Sequence, residues 1–240
     1  YAGFEAVNVH LGKAADALHV ISTYLQATTT IRAGPGGDTV NVSSDSGLLS
    51  GIAGALVVDG QSGTGDVLNV SDAGDSVGQI GALTSTAITG LGTAGITYSG
   101  LTTLNITLGS GSDSFGVVST GATTNLSTGA GADSVTVGAS TGLLGGIDNP
   151  LSIDGQGASD SLTATDANDG TGQSGTLTND FISGLSTADG IGYTNFELVT
   201  VDLGLGADTF TVLSTITGTT TVDGGGGNDS LDVETISGPT

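Results

Sequence analysis

The chain has 240 residues, 44 of them glycine, with no cysteine, methionine or tryptophan. Two bases, Lys13 and Arg32, stand against 24 acids, for a formal charge of −22. Such a field repels nucleic-acid phosphates and anionic headgroups, so both are poor partners, no nucleic acid is expected, and cations are attracted. Without thiols there is no disulfide framework and no thiolate metal site. No apolar run reaches the roughly 18 residues a membrane-spanning helix needs. Hydrophobic residues make up 36% and aromatics 4%. The expected core is therefore thin, built of stacked Val, Leu, Ile, Ala and Thr. The chain opens at Tyr1 without a signal-peptide pattern, which suits a processed protein or an excised piece of a longer, secreted one.

Self-similarity organises the chain. Phe4-Glu5-Ala6-Val7-Asn8-Val9-His10-Leu11-Gly12 returns as Leu101-Thr102-Thr103-Leu104-Asn105-Ile106-Thr107-Leu108-Gly109, and again as Phe196-Glu197-Leu198-Val199-Thr200-Val201-Asp202-Leu203-Gly204. Between them, Leu56-Val57-Val58-Asp59-Gly60-Gln61 matches Leu151-Ser152-Ile153-Asp154-Gly155-Gln156. Ile88-Thr89-Gly90-Leu91 likewise matches Ile182-Ser183-Gly184-Leu185. Residues 1–240 thus hold about two and a half copies of a ~95-residue unit, starting near 4, 101 and 196, in one continuous domain.

In chain order, strands are expected before and after each glycine turn. Val7, Val9 and Leu11 alternate before the first. Val40/Val42 and Leu68/Val70 follow the next two, and Leu104, Ile106 and Leu108 precede Phe115/Val117. Then come Val135/Val137, then Val199, Val201 and Leu203 before Phe210/Val212, and finally Leu231/Val233. Period two means one face in and one out. Glycine and β-branched residues make helix nearly absent. The turns close on Asp16, Asp38, Asp66, Asp113, Asp133, Asp160, Asp208 and Asp229, at spacings of 22, 28, 47, 20, 27, 48 and 21 residues. A step of 20–28 residues fits one coil of a parallel β-solenoid, all-β, with the aspartate turns along one edge. The two long gaps then each hide one extra coil. About a dozen coils at ~4.8 Å give a rod of ~55 Å.

Five turns share Gly-x-Gly-x-Asp: Gly34/Gly36/Asp38, Gly109/Gly111/Asp113, Gly129/Gly131/Asp133, Gly204/Gly206/Asp208 and Gly225/Gly227/Asp229. Glycine permits φ > 0, so backbone carbonyls can converge, and the aspartate adds a hard anionic oxygen. Calcium takes six to eight oxygens, which two stacked turns can supply. Eight acids in column also repel one another without a counter-cation. The alternative is a tight turn whose aspartate caps backbone N–H groups. Two wider turns bring paired acids, Asp59 with Asp66 and Asp154 with Asp160, and Asp223 precedes the last turn; these are secondary metal candidates. Gly12-Lys13-Ala14-Ala15-Asp16 lacks the second glycine and carries a cation, so no site is expected there.

Gly224 to Asp232 resembles the repeat-in-toxin (hemolysin-type) calcium-binding nonapeptide G-G-x-G-x-D-x-U-x, and the other four turns lack only its first glycine. The ~95-residue unit resembles repeats of very large secreted bacterial surface proteins. These resemblances imply bound Ca2+, a secreted or cell-surface location, and a role in adhesion. The function expected is a calcium-stabilised structural rod: a fibre, an adhesin stalk or part of a surface layer. Its partners are calcium ions and further copies or adjoining repeats, end to end. A carbohydrate-binding or carbohydrate-active β-helix is the rival, with Tyr98 and Tyr193 as its aromatic candidates. An ice-binding solenoid is a third reading, from Thr28-Thr29-Thr30 and Thr219-Thr220-Thr221. No Ser/His/Asp set or acid/base pair points to an enzyme. Asp72/Asp75 and Asp166/Asp169 are acidic turns in corresponding places, and His10 and His19 are lone outward residues.

Overall fold

The computed structural model describes residues 3–61 and 63–237. Among them every regular element is a strand. The first repeat supplies β1 (Ala6–His10), β2 (Ala17–Val20), β3 (Thr28–Arg32), β4 (Thr39–Val42), β5 (Leu56–Asp59), β6 (Val67–Ser71), β7 (Ile80–Thr84), β8 (Ala87–Gly90) and β9 (Ile96–Ser99). The second supplies β10 (Thr103–Thr107), β11 (Ser114–Val117), β12 (Thr123–Ser127), β13 (Ser134–Val137), β14 (Leu151–Asp154), β15 (Ser161–Thr165), β16 (Ser174–Leu177), β17 (Phe181–Gly184) and β18 (Ile191–Thr194). The third begins with β19 (Leu198–Asp202), β20 (Thr209–Val212), β21 (Thr219–Asp223) and β22 (Ser230–Val233).

These strands form two eleven-stranded sheets, ordered β1-β3-β5-β9-β8-β7-β11-β13-β15-β19-β21 and β2-β4-β6-β10-β12-β14-β18-β17-β16-β20-β22. The chain winds between them, as a parallel β-solenoid requires. Inward residues alternate with outward ones and meet in register, so Val135 pairs with Leu162 and Val137 with Ala164. One continuous apolar core runs the length of the stack, from Val20 and Ile31 through Leu104 and Ile153 to Val212. With so few large side chains, fit is local. Phe115 lies opposite Gly81, where a Cβ would come 2.8 Å from its ring. Phe210 lies opposite Gly175 in the same way, at 2.9 Å.

The long gaps do not hold an extra coil. Each holds an antiparallel meander, β7-β8-β9 in the first sheet and β16-β17-β18 in the second. At the second reversal of each meander Gly90, Leu91, Gly92 and Gly95 have positive φ, matched by Gly184, Leu185, Ser186 and Gly190. Tyr98 and Tyr193 lock the two meanders. They are 3% and 2% exposed. Their hydroxyls donate to the carbonyl of Thr84 at 2.6 Å and of Thr178 at 2.5 Å.

A meander places three consecutive strands in one sheet, so each repeat contains nine strands, an odd number. Equivalent strands therefore change sheets: β1 lies in the first, β10 in the second and β19 in the first again. The expectation that all aspartate turns share one edge is corrected accordingly. Turns ending at Asp16, Asp38, Asp66, Asp208 and Asp229 lead from the first sheet to the second, and those ending at Asp113, Asp133 and Asp160 lead back.

Val201 is fully buried in β19, while its neighbour Thr200 faces outward. Val201→Asp should cost about 4 kcal/mol or more, because it places an unpaired charge in the core. Thr200→Ser should stay within about 0.5 kcal/mol. Urea unfolding followed by circular dichroism checks both.

Candidate functional site

The glycine turns sit where strands reach an edge of the stack, and in six of them the closing aspartate points inward. Asp38, Asp66, Asp113, Asp133, Asp160 and Asp208 are 1–4% exposed. Their carboxylates have a repeated task. The backbone N–H of Asp16 donates to Asp38 Oδ1 at 2.7 Å, and that of Asp38 donates to Asp66 Oδ1 at 2.8 Å. On the opposite edge Asp113 N–H donates to Asp133 Oδ1 at 2.7 Å, and Asp133 N–H to Asp160 Oδ1 at 2.8 Å. Glu197 Oε2 extends that column by accepting Asp160 N–H at 2.7 Å. Asp208 N–H donates to Asp229 Oδ1 at 3.0 Å, although Asp229 itself is exposed. Each carboxylate thus bolts its own turn to the turn before it.

The glycines allow the turns to come close enough. A Cβ on Gly129, whose φ is 91°, would fall 1.8 Å from the carbonyl oxygen of Gly109 in the preceding turn. Gly34, Gly36, Gly111, Gly131, Gly204, Gly206, Gly225 and Gly227 press on neighbouring backbone in the same manner, as does Gly109 on Asp75.

The second carboxylate oxygen faces the turn's own backbone. Asp16 Oδ2 accepts the Gly12 N–H at 2.7 Å, and Asp208 Oδ2 the Gly204 N–H at 3.1 Å. A Cβ on Gly63 would lie 2.5 Å from Asp66 Oδ2, and one on Gly155 would lie 3.1 Å from Asp160 Oδ2. Oδ2 of Asp38, Asp66, Asp113, Asp133, Asp160 and Asp166 is buried without a hydrogen-bond partner.

The secondary candidates separate into two kinds. Asp66 and Asp160 belong to the columns. Asp59 and Asp154 are half-buried and accept the N–H two residues on, from Gln61 at 3.0 Å and Gln156 at 2.9 Å. Asp223 does the same for Gly225 at 3.0 Å, and is exposed. Ser62, within the first wide turn, lies outside the described residues.

These observations decide whether the donor set fits calcium. Buried oxygens without partners invite a cation. Against that, Asp38, Asp66, Asp113, Asp133, Asp160, Asp208 and Asp229 each accept a backbone N–H on Oδ1, and the described residues bring no three His, Cys, Asp or Glu side chains together. Oδ2 is enclosed by the glycines of its own turn. A calcium cage needs six to eight converging oxygens. The side chains of the described residues do not by themselves complete a calcium cage, and through Oδ1 each column aspartate acts as a backbone cap between coils. The chain matched no family model, no curated protein and no solved structure.

Several members of this network lie outside the Gly-x-Gly-x-Asp turns. Gln79 and Gln173 donate N–H to Asp113 and Asp208, at 2.6 and 2.7 Å. Leu49 and Leu144 donate to Asp72 and Asp166, each at 2.8 Å. Asp75 and Asp169 organise their own turns through Val77 and Thr171. On the outer face of the second sheet, the side-chain amides of Asn69, Asn105 and Asn125 donate in series to Asn41, Asn69 and Asn105, at 2.8, 2.7 and 2.8 Å. The available signal was an Asn three residues after Asp38 and Asp66. The tyrosines offered as a sugar-stacking surface are buried. Of the two threonine triplets, Thr29 and Thr220 point inward, so neither triplet is an outward flat row.

Burial pushes the carboxyls of Asp72, Asp113, Asp160 and Asp166 above the usual aspartate range, partly offset by their backbone hydrogen bonds. Neighbouring acids add to the rise: Asp75 and Asp113 beside Asp72, Asp133 and Asp75 beside Asp113, Asp133, Glu197 and Asp154 beside Asp160, and Asp169 and Asp208 beside Asp166. Hydrogen bonds from Thr171 hold Asp169 below that range. A carboxyl raised on folding stabilises fully below its unfolded pKa of about 3.9, and that stability is lost as pH rises through the folded value. The melting temperature should therefore climb as pH is lowered from about 8 toward about 4, a trend that differential scanning calorimetry reads directly.

Asp133→Asn keeps the acceptor for the Asp113 N–H and removes a buried charge. It should cost no more than about 1 kcal/mol, whereas Asp133→Ala strands a buried donor and should cost about 2–3 kcal/mol. A metal-ligand role would make the two substitutions similarly damaging. Chemical denaturation of both variants separates these cases.

Proposed function

We propose that this chain is a segment of a rigid extracellular rod, a spacer or stalk that carries its load through repeated coils. The observation that carries this reading is the pair of eleven-stranded sheets on one uninterrupted core, with turns bolted from coil to coil by buried carboxylates. Eleven strands at ~4.8 Å extend about 50 Å, against ~10 Å between stacked sheets. Each coil contacts chiefly its neighbours, so length is gained by adding coils without redesigning a core. A charge of −22 keeps such rods apart laterally in dilute salt. The cell surface and an adhesive or spacing role belong to this proposal, as does stiffness that arises from hydrogen bonds rather than from bound calcium.

Small-angle scattering should give a pair-distance distribution with a long tail and one long axis, the same in calcium and in chelator. A compact profile would remove the rod.

A further inference from the structure

We propose that the outer face of the second sheet carries a slot for one ring of a neutral sugar chain, formed by Phe181, Gly192, Ser152, Asn125 and Asp189. The proposal goes beyond the rod reading and does not depend on it. Four strands in the middle of the stack supply the floor and walls: β12 pairs with β14, β14 with β18, and β18 with β17. In register, Asn125 stands beside Ser152, Ser152 beside Gly192, and Gly192 opposite Phe181. All four occupy outward positions, because their neighbours Leu126, Ile153, Ile191 and Ile182 are buried in the core. Gly192 contributes no side chain to this row, and the gap it leaves is a depression of about 220 Å³. A Cβ on Gly192 would sit 3.9 Å from both Phe181 Cδ2 and Ser152 Oγ, so the two side chains flank the slot without closing it. Phe181 leans over Gly190, where a Cβ would collide with its ring, and remains 38% exposed. Asp189, also exposed, lines the rim.

The chain contains its own comparison. In the first repeat the same row reads Thr30, Val57, Thr97 and Ala87, paired strand for strand. Each of the four differs from its counterpart in the second. Asp189 has no counterpart at all: Thr93-Ala94-Gly95-Ile96 corresponds to Thr187-Ala188-Asp189-Gly190-Ile191. The residues beneath are kept, with Ile88, Ile96 and Tyr98 matching Ile182, Ile191 and Tyr193. The repeats therefore agree inside and part company on this one outer row. The backbone does not require glycine at 192, which lies outside the positive-φ positions and corresponds to a threonine. Covering bare backbone accounts for a ring opposite a glycine. It leaves the inserted aspartate and the polar pair Asn125 and Ser152 without a purpose.

The chemistry of the slot selects its ligand. Phe181 offers an apolar platform with an open side. The Asn125 amide gives one N–H to Asn105 at 2.8 Å and carries a second N–H and a carbonyl oxygen besides. The Ser152 hydroxyl and the Asp189 carboxylate add a donor and acceptors around the same gap. A molecule with a C–H face and hydroxyls around its edge answers both features, and a pyranose with equatorial hydroxyls has that form. A charge of −22 selects against acidic sugars. The volume falls below the ~300 Å³ of pockets that enclose drug-sized ligands, so it admits a single ring. Adjoining units of the sugar chain then lie along the amide ladder, over Asn105 and Asn69.

Titration of the 240-residue chain with cellotetraose and with chitotetraose, followed by saturation-transfer NMR, tests the slot. At least one should bind with a dissociation constant on the order of 1 mM. Phe181→Ala and Gly192→Thr should each weaken it about tenfold or more, the first by removing the platform and the second by filling the gap. Both substitutions install the residue that the first repeat carries at that place, and circular dichroism checks that the fold is kept. An oligogalacturonate should bind more weakly than the neutral sugars. No binding of either neutral sugar at about 10 mM overturns the proposal. So does binding that both variants leave unchanged, or an oligogalacturonate that binds as tightly as the neutral sugars. Leucinamide bound in place of the sugars would make the slot a peptide site and overturn it as well.

Discussion

The structure depends on one interaction, the bond from a turn's backbone N–H to the buried carboxylate of the turn stacked on it. Asp113 N–H to Asp133 Oδ1, at 2.7 Å, is representative. A charge-assisted bond of this kind is worth about 1.5–3 kcal/mol, but ionising a buried carboxylate costs several. The net gain per coil is therefore modest. What the bond enforces is closeness: the next turn has to arrive with its backbone in contact, and Gly129 tolerates Gly109 only because it has no Cβ. The elevated carboxyls of Asp113 and Asp160 are the cost of that geometry.

The second organising constraint is the odd number of strands. Each meander spends three strands in one sheet, and the following repeat starts in the other. The consequence is visible on the surface. The outward column that is Asn41, Asn69, Asn105 and Asn125 on the second sheet corresponds in the next repeat to Thr136, Thr163, Thr200 and Thr221 on the first. Equivalent features therefore alternate between the two sheets from one repeat to the next.

Much of the fold was legible in the sequence because its code is short range. Alternation at Val199, Val201 and Leu203, a glycine turn and an inward aspartate suffice to lay down a coil, and spacing then sets the coil length. The meanders were not legible from spacing. Their middle strands bury one residue each, Ile88 in β8 and Ile182 in β17, and the reversals that follow rest on positive φ at Leu91 and Leu185, where a side chain gives no warning. At the site, the identity of the aspartates was readable, and their inward direction is what the structure adds. Their chemistry was not readable, because Gly-x-Gly-x-Asp serves equally to converge carbonyls on a cation or to let turns touch. Only the positions of Oδ1 and Oδ2 separate the two, and Glu197, Gln79 and Gln173 join the columns from outside any motif.

On this account the carboxylates are structural acceptors, and the rod is held by its own backbone. Calorimetric titration of calcium into chelator-treated chain tests that claim most directly. The account predicts no saturable heat beyond weak screening of a −22 surface, with the far-ultraviolet circular dichroism unchanged throughout. Stoichiometric uptake of several calcium ions, accompanied by a gain of β-structure, would contradict it.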